Sequence, residues 1–206
     1  MSKKILKYLG FSQKTLWDWL ELLIVPILIL FATFYLQGVS QEQQELNQTE
    51  KNKQEILTKY IEDMTTLLVD KKLGDELNKP DKPVGVTAKA RTIIAMKELD
   101  NKRNGQIIQF LKESNLVKVG KKSILFSADL SGVDLKGVDL REVNLATADL
   151  KGANLTGAYL CGADLTSIKR DKTIFKGAFY NQNTEFDFKK EADKLGMKEK
   201  ENCWFD

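Results

Sequence analysis

The chain contains no histidine. That absence removes the commonest general base and the commonest metal ligand together. Cysteine is nearly absent too: Cys161 and Cys203 lie far apart, form no CxxC pair, and do not suggest a zinc site or a redox compartment. Charge of one sign is also missing. The formal net charge is +3, and Lys3, Lys4, Lys7 and Lys14 against Asp18 account for all of it. The rest of the chain sums to zero, so there is no basic field to hold nucleic acid and no acidic field to imitate it. Proline occurs only at positions 26, 80 and 83.

What is present changes along the chain. Leu22 to Leu36 reads LLIVPILILFATFYL without a charge, preceded by Leu20 and Glu21. Trp17 to Leu36 as a helix covers roughly 30 Å, the thickness of a hydrocarbon core. Trp17 and Trp19 at one end and Tyr35 at the other suit interfacial aromatic belts, and Pro26 predicts a modest kink. A signal peptide fits less well, because no small-x-small cleavage site follows closely. A buried core helix usually keeps a polar face. The expectation is a single-pass transmembrane helix over 16–37, behind a basic segment over 1–15. The lysines before it, against Glu42, Glu45 and Glu50 after it, place the N-terminus in the cytoplasm by the positive-inside rule.

Residues 38–79 read as a helical stalk. Its first part is rich in Gln, Glu, Asn and Lys. Leu57, Tyr60, Ile61, Met64, Leu67 and Leu68 then recur at spacings that mark one apolar helix face. That face could dimerise as a coiled coil or pack on the protein's own neighbours; barely two heptads favour the latter. Residues 80–122 read as a small helical region. Pro80, Pro83 and Gly85 break the chain, a helix runs from about Thr87 to Leu99, Asn104-Gly105 marks a turn, and a further helix carries Ile107, Ile108, Phe110, Leu111 and Leu116. Lys102, Arg103, Lys118, Lys121 and Lys122 read as a scattered, solvated basic surface.

From Ala128 the period is five: ADLSG, VDLKG, VDLRE, VNLAT, ADLKG, ANLTG, AYLCG, ADLTS. The central residue is always leucine, from Leu130 to Leu165, and Ala or Val always stands two places earlier. An α-helix would carry such leucines round by about 140° per repeat and bury no stripe. The pattern needs a coil that turns two residues of every five inward, each pentapeptide forming one side. Turns stacked at about 4.8 Å would satisfy the backbone and build one continuous core.

This stretch resembles the pentapeptide-repeat family, whose motif is A(D/N)LXX. The resemblance implies a right-handed quadrilateral β-helix with four pentapeptides per turn, over 123–186. Leu125 precedes the repeats in register, Arg170 breaks the leucine column, and Phe175 and Tyr180 resume it. Val133, Val138 and Val143 replace the family's preferred alanine. The layout also resembles a bacterial, cyanobacterial-type, membrane-anchored group of that family: WDWLELLIVP, YIEDMTTLL, ARTIIAMKELDNKRNGQIIQFLKESNLV, then the repeats and FKGAFYNQNTEF. It implies an architecture and no activity.

A β-helix needs its ends covered. The Ile107–Leu116 region is expected to cap the start. Residues 187–206 are expected to form a cap and tail, with a helix over 187–199 carrying Phe188, Ala192, Leu195 and Met197, and with Trp204 and Phe205 folding back. Cys161 directly follows Leu160 and is expected to face outward and be reachable.

No catalytic, cofactor-binding or metal-binding residue emerges. Asp129, Asp134, Asp139, Asp149 and Asp164 are spaced by the architecture, whereas metal ligands converge. Gly120-Lys121-Lys122-Ser123 lacks the upstream glycine of a phosphate loop, because position 115 is Asn. The expectation is a non-catalytic, membrane-anchored scaffold or adaptor. Its partners would be the lipid bilayer through one helix and an unknown protein, with self-association left open, and no nucleic acid or small-molecule substrate. The alternative is a DNA mimic acting on an enzyme such as gyrase. Residues 122–168 carry only four basic and six acidic side chains, far from the strongly negative rod that role needs.

Overall fold

The structure, a computed structural model, describes residues 16–70, 73, 83–118, 123–201 and 203, without the side chains of 16–23, 25 and 70. The basic segment 1–15, Pro80, Lys121, Lys122, Trp204 and Phe205 lie outside the described residues. The chain divides into two compact units, Met1–Lys51 and Asn52–Asp206.

In the first unit the described residues belong to helix α1, Leu16–Asp70, which continues through Pro26. Ile27, Leu28, Phe31, Phe34, Tyr35 and Leu36 are exposed along it. The expected transmembrane helix is corrected: among the described residues, no helix is long and apolar enough to cross a membrane. The uncharged run Leu22–Leu36 rises only about 22 Å, short of a core about 30 Å thick. The helix then carries straight on into the Gln- and Glu-rich stretch. The single-pass topology, the bilayer as a partner and the cytoplasmic N-terminus inferred from that span are corrected with it.

The second unit holds the end of α1, two further helices and the repeat coil. Helix α2 is Pro83–Glu98 and α3 is Asn101–Glu113. Leu57, Tyr60 and Met64 are buried, and Ile61, Leu67 and Leu68 pack against the same core. Tyr60 Oη lies 3.0 Å from Thr92 Oγ1 of α2, and its ring meets Phe110 of α3 edge-on at 6.3 Å. The stalk's apolar face is thus spent on the protein's own neighbours.

Asn104-Gly105 is not a turn. Both residues lie inside α3, whose N-cap is Asp100; its carboxylate accepts from the Arg103 N–H at 3.1 Å. Asp100 also pairs with Lys53 at 3.2 Å and with the Arg103 guanidinium at 2.6 Å. Arg103 is therefore buried and belongs to no solvated basic scatter.

From Ser123 the chain winds in turns of twenty residues. Parallel bridges join Asp129 to Asp149, Asp134 to Asn154, Asp139 to Tyr159 and Asn144 to Asp164, and then Asp149 to Lys169, Asn154 to Ile174 and Tyr159 to Phe179. The step becomes one residue longer at Asp164–Glu185. Leu130 to Leu165 and the Ala or Val two places before each are buried and fill the interior. Four five-residue sides make each turn.

The expected fold class, a transmembrane helix followed by a right-handed quadrilateral β-helix, is corrected in its sheet as well as its span. Among the described residues, pairing is limited to isolated bridges, with one two-residue parallel sheet of β1, Phe179–Tyr180, and β2, Lys198–Glu199. The sheet is not closed into a barrel. Each side gives one residue to the ladder before the chain turns a corner, so no long strand can form. The far end also differs from expectation. The 187–199 stretch is a single 3-10 turn, Lys189–Glu191, followed by β2.

Candidate interaction surface of the repeat coil

The residue before each leucine shapes the corner. Asp129 Oδ1 accepts from the Ser131 N–H at 3.1 Å, Asp134 from Lys136 at 3.2 Å, Asp139 from Arg141 at 3.0 Å and Asp149 from Lys151 at 3.1 Å. Asn144, Asn154 and Asp164 do the same for Ala146, Thr156 and Thr166. A short acceptor two residues upstream is what this turn needs, which accounts for Asp or Asn in that column. The five aspartates singled out in the sequence stand in the walls of the coil and do not converge. Among the described residues no group of three or more His, Cys, Asp or Glu could hold a metal ion.

The helices grip the first turn side by side. Lys97 of α2 donates to Asp129 Oδ2 at 2.8 Å, and Lys112 of α3 to Asp139 Oδ2 at 2.9 Å. Between them Asn101 donates to the Lys136 carbonyl at 2.9 Å and Asn104 to the Asp134 carbonyl at 2.9 Å. Gly105 of α3 faces Val138, and a Cβ there would make an ordinary contact with that side chain at 3.9 Å. The Lys97 hydrogen bond, helped by Ser131, holds the Asp129 carboxyl down at about 2. Burial pushes the Asp139 carboxyl up, but hydrogen bonds from Arg141 and Lys112 outweigh it and bring it to about 2.

The far end is closed by aromatic rings. Phe175 contacts Phe188 at 5.5 Å, Phe188 contacts Phe186 at 4.9 Å, and Phe186 meets Tyr180 at 5.3 Å. Arg170, the break in the leucine column, lays its guanidinium 4.5 Å over the Phe188 ring and donates to both Glu191 oxygens at 3.1 Å. It ties the 3-10 turn to the coil.

The coil therefore has a filled interior and two covered ends, leaving its outer columns. Lys136, Gly137, Lys151, Gly152, Asp171, Lys172 and Lys176 are exposed on two adjoining sides. A third side differs. Tyr159 and Phe179 stack at 5.2 Å, Lys200 Nζ lies 5.5 Å from the Phe179 ring, and the chain after β2 returns over this side. Cys161 is bonded to Cys203 there, and both are buried. Cys161 does face outward, but the returning chain covers it, so the expectation of a reachable thiol is corrected. Sequence reasoning had no signal for this pairing, since neither cysteine sits in a motif.

Residues 128–166 match the pentapeptide-repeat family over eight copies. The chain carries a pentapeptide-repeat domain. Among solved structures it is similar to Rfr23, a pentapeptide repeat protein of the cyanobacterium Cyanothece 51142, at 41% identity over 31% of this chain and 43% of that one, with a TM-score of 0.30. It is also similar to alr5209, a pentapeptide repeat protein of Nostoc Pcc 7120, at 31% identity over 37% of this chain and 79% of that one, with a TM-score of 0.26. The matched part thus spans less than half the length of Rfr23. No curated protein matches the chain.

The membrane anchor attached to the family resemblance is corrected by the same helix finding given above. The charges of the coil bear on the DNA-mimic alternative. Asp129 and Asp139 are paired with Lys97, Lys112 and Arg141, and Asp149 faces Lys151 and Lys169. Three of the five outer aspartates thus stand beside basic side chains, which weighs against the bare acidic surface a mimic would present.

Proposed function

We propose that this protein is a non-catalytic scaffold that binds a protein partner through the outer columns of its pentapeptide-repeat domain. The filled interior carries this reading: Leu130, Leu135, Leu150 and Leu155 are fully buried, so the coil offers walls and no chamber. Flat, layered walls suit recognition of another surface more than turnover of a small molecule. Lys136, Lys151 and Lys176 are exposed on their sides, although α2 and α3 bond to the first turn there.

The test is affinity capture with the full chain and with a Lys136→Glu, Lys151→Glu, Lys176→Glu variant. The unaltered chain is expected to retain one protein reproducibly, and the variant to lose it while keeping its melting temperature. Equal capture by both, or no capture together with no self-association in light scattering, contradicts the scaffold reading.

A further inference from the structure

Between Gln37 and Glu50 helix α1 is polar, with only two large apolar side chains, Val39 and Leu46. They are seven residues apart, so they lie within about 20° of each other round the helix. Counting by three and four extends their face both ways. Upstream it takes in Leu36, Ala32 and Ile29, with Gln43 as the polar place between Val39 and Leu46. Downstream, past Glu50 and Lys53, the same count reaches Leu57, Tyr60, Met64 and Leu67. This is the seam spacing of a coiled coil, sustained for more than three heptads. Before Leu36 the helix is apolar on every side, so the seam stands out by contrast from Leu36 to Leu46.

The downstream part of the seam is already an interface. Leu57 is 5% exposed, Tyr60 4% and Met64 0%, and Tyr60 meets Thr92 of α2 and Phe110 of α3. That cover begins at Lys53, whose ammonium lies 3.2 Å from Asp100, the N-cap of α3. Among the described residues nothing covers the upstream part: Leu36 is 65% exposed, Val39 50% and Leu46 55%.

A face of this spacing is filled by knobs from a helix of the same spacing, and a second α1 carries it. Parallel alignment sets Leu36, Val39 and Leu46 against their counterparts. It also sets Gln43 against Gln43, whose amides both donate and accept. The flanking residues then oppose Tyr35 to Ser40 and Glu42 to Asn47, so no like charges meet. Antiparallel alignment would instead lay the apolar stretch before Leu36 on the polar one after Ser40.

We propose that α1 forms a parallel coiled coil with α1 of a second copy of this chain over residues 29–49, with Leu36, Val39 and Leu46 in the seam. From Lys53 onwards the same face is filled by the protein's own α2 and α3. This inference rests on α1 alone and does not require the scaffold reading.

The experiment uses the full chain with single added cysteines, since Cys161 and Cys203 are bonded to each other. Val39→Cys and Leu46→Cys each put a thiol in the seam; Gln41→Cys and Gln44→Cys each put one on the outer face. With a mild oxidant, in extract of the cells that make the protein, each seam variant should form a covalent dimer at least about tenfold faster than either outer variant. Mass spectrometry of that product should find this chain alone. The unaltered chain should sediment at twice 23.4 kDa, and Leu46→Glu should return it to a monomer while the amides of Leu150 and Leu155 stay protected from exchange. Equal crosslinking from both faces, crosslinking at only one seam position, or a crosslink to a different protein would overturn the coiled coil. A monomeric unaltered chain, or a Leu46→Glu chain that stays dimeric, would overturn it equally.

Discussion

Asn104, inside α3, donates its side-chain amide to the backbone carbonyl of Asp134, thirty residues further on and in the wall of the first coil turn, at 2.9 Å. The same amide nitrogen lies 3.0 Å from the Met96 carbonyl and 3.2 Å from that of Leu99. One fully buried side chain therefore joins the end of α2, the start of α3 and the coil. Asn104→Ala leaves these carbonyls short of a donor at a buried site. The expected cost is about 1–3 kcal/mol, read from urea denaturation. An unchanged midpoint would remove Asn104 from the cap.

The interior columns should be far more sensitive than the outer ones. Leu155 is fully buried, whereas Lys151 is exposed. Leu155→Ala opens a cavity between turns and should destabilise by about 2–5 kcal/mol. Lys151→Ala should stay within about 0.5 kcal/mol. Thermal or chemical denaturation of the two variants in one buffer gives the comparison.

Acid should loosen the grip of the helices on the first turn. Asp129 and Asp139 are held at about 2 in the folded protein, against about 3.9 for a free aspartate. In that interval the unfolded chain binds more protons than the folded one, so stability rises with pH. Their contribution is complete above about pH 4 and is lost as pH falls towards 2. Asp139→Asn should flatten the slope of stability against pH in that window. An identical slope would mean that the Lys112 and Arg141 contacts contribute nothing.

The last position of the pentapeptide turns the corner in the left-handed region. Gly152 does so at φ +67°, and Lys172, one turn later, at φ +57°. Only glycine enters that region without a steric penalty, which for other residues is about 1–2 kcal/mol. Lys172→Gly should therefore stabilise the protein by about 0.5–1 kcal/mol after the extra unfolded-state freedom of glycine is subtracted. A fall in melting temperature would contradict the corner geometry.

The inward columns were legible from the sequence because they are local: Leu130 to Leu165 and their Ala or Val partners repeat every five residues whatever surrounds them. The aspartate column was visible as periodic, but its work as a turn acceptor needs the backbone. The contacts of Lys97 and Lys112 were not legible, since each reaches its aspartate about thirty residues away with no shared motif. Asn104-Gly105 misled because that dipeptide favours turns in isolation, and tertiary hydrogen bonds override it here. The Cys161–Cys203 bond carries no spacing signal at all. The run Leu22–Leu36 read as a membrane span on its hydropathy, yet its uncharged length falls short and its helix does not stop where the apolar residues do.

The claim that the outer walls of the repeat domain do the binding can be tested by site-specific photo-crosslinking. A photoreactive phenylalanine analogue is placed at Lys136, Lys151 or Lys176 on the open sides and, for comparison, at Glu98 on α2. The scaffold account predicts crosslinks to one and the same protein from the three wall positions and none from position 98. Crosslinks only from position 98, or none from any wall position in the extract that yields the captured partner, would contradict it.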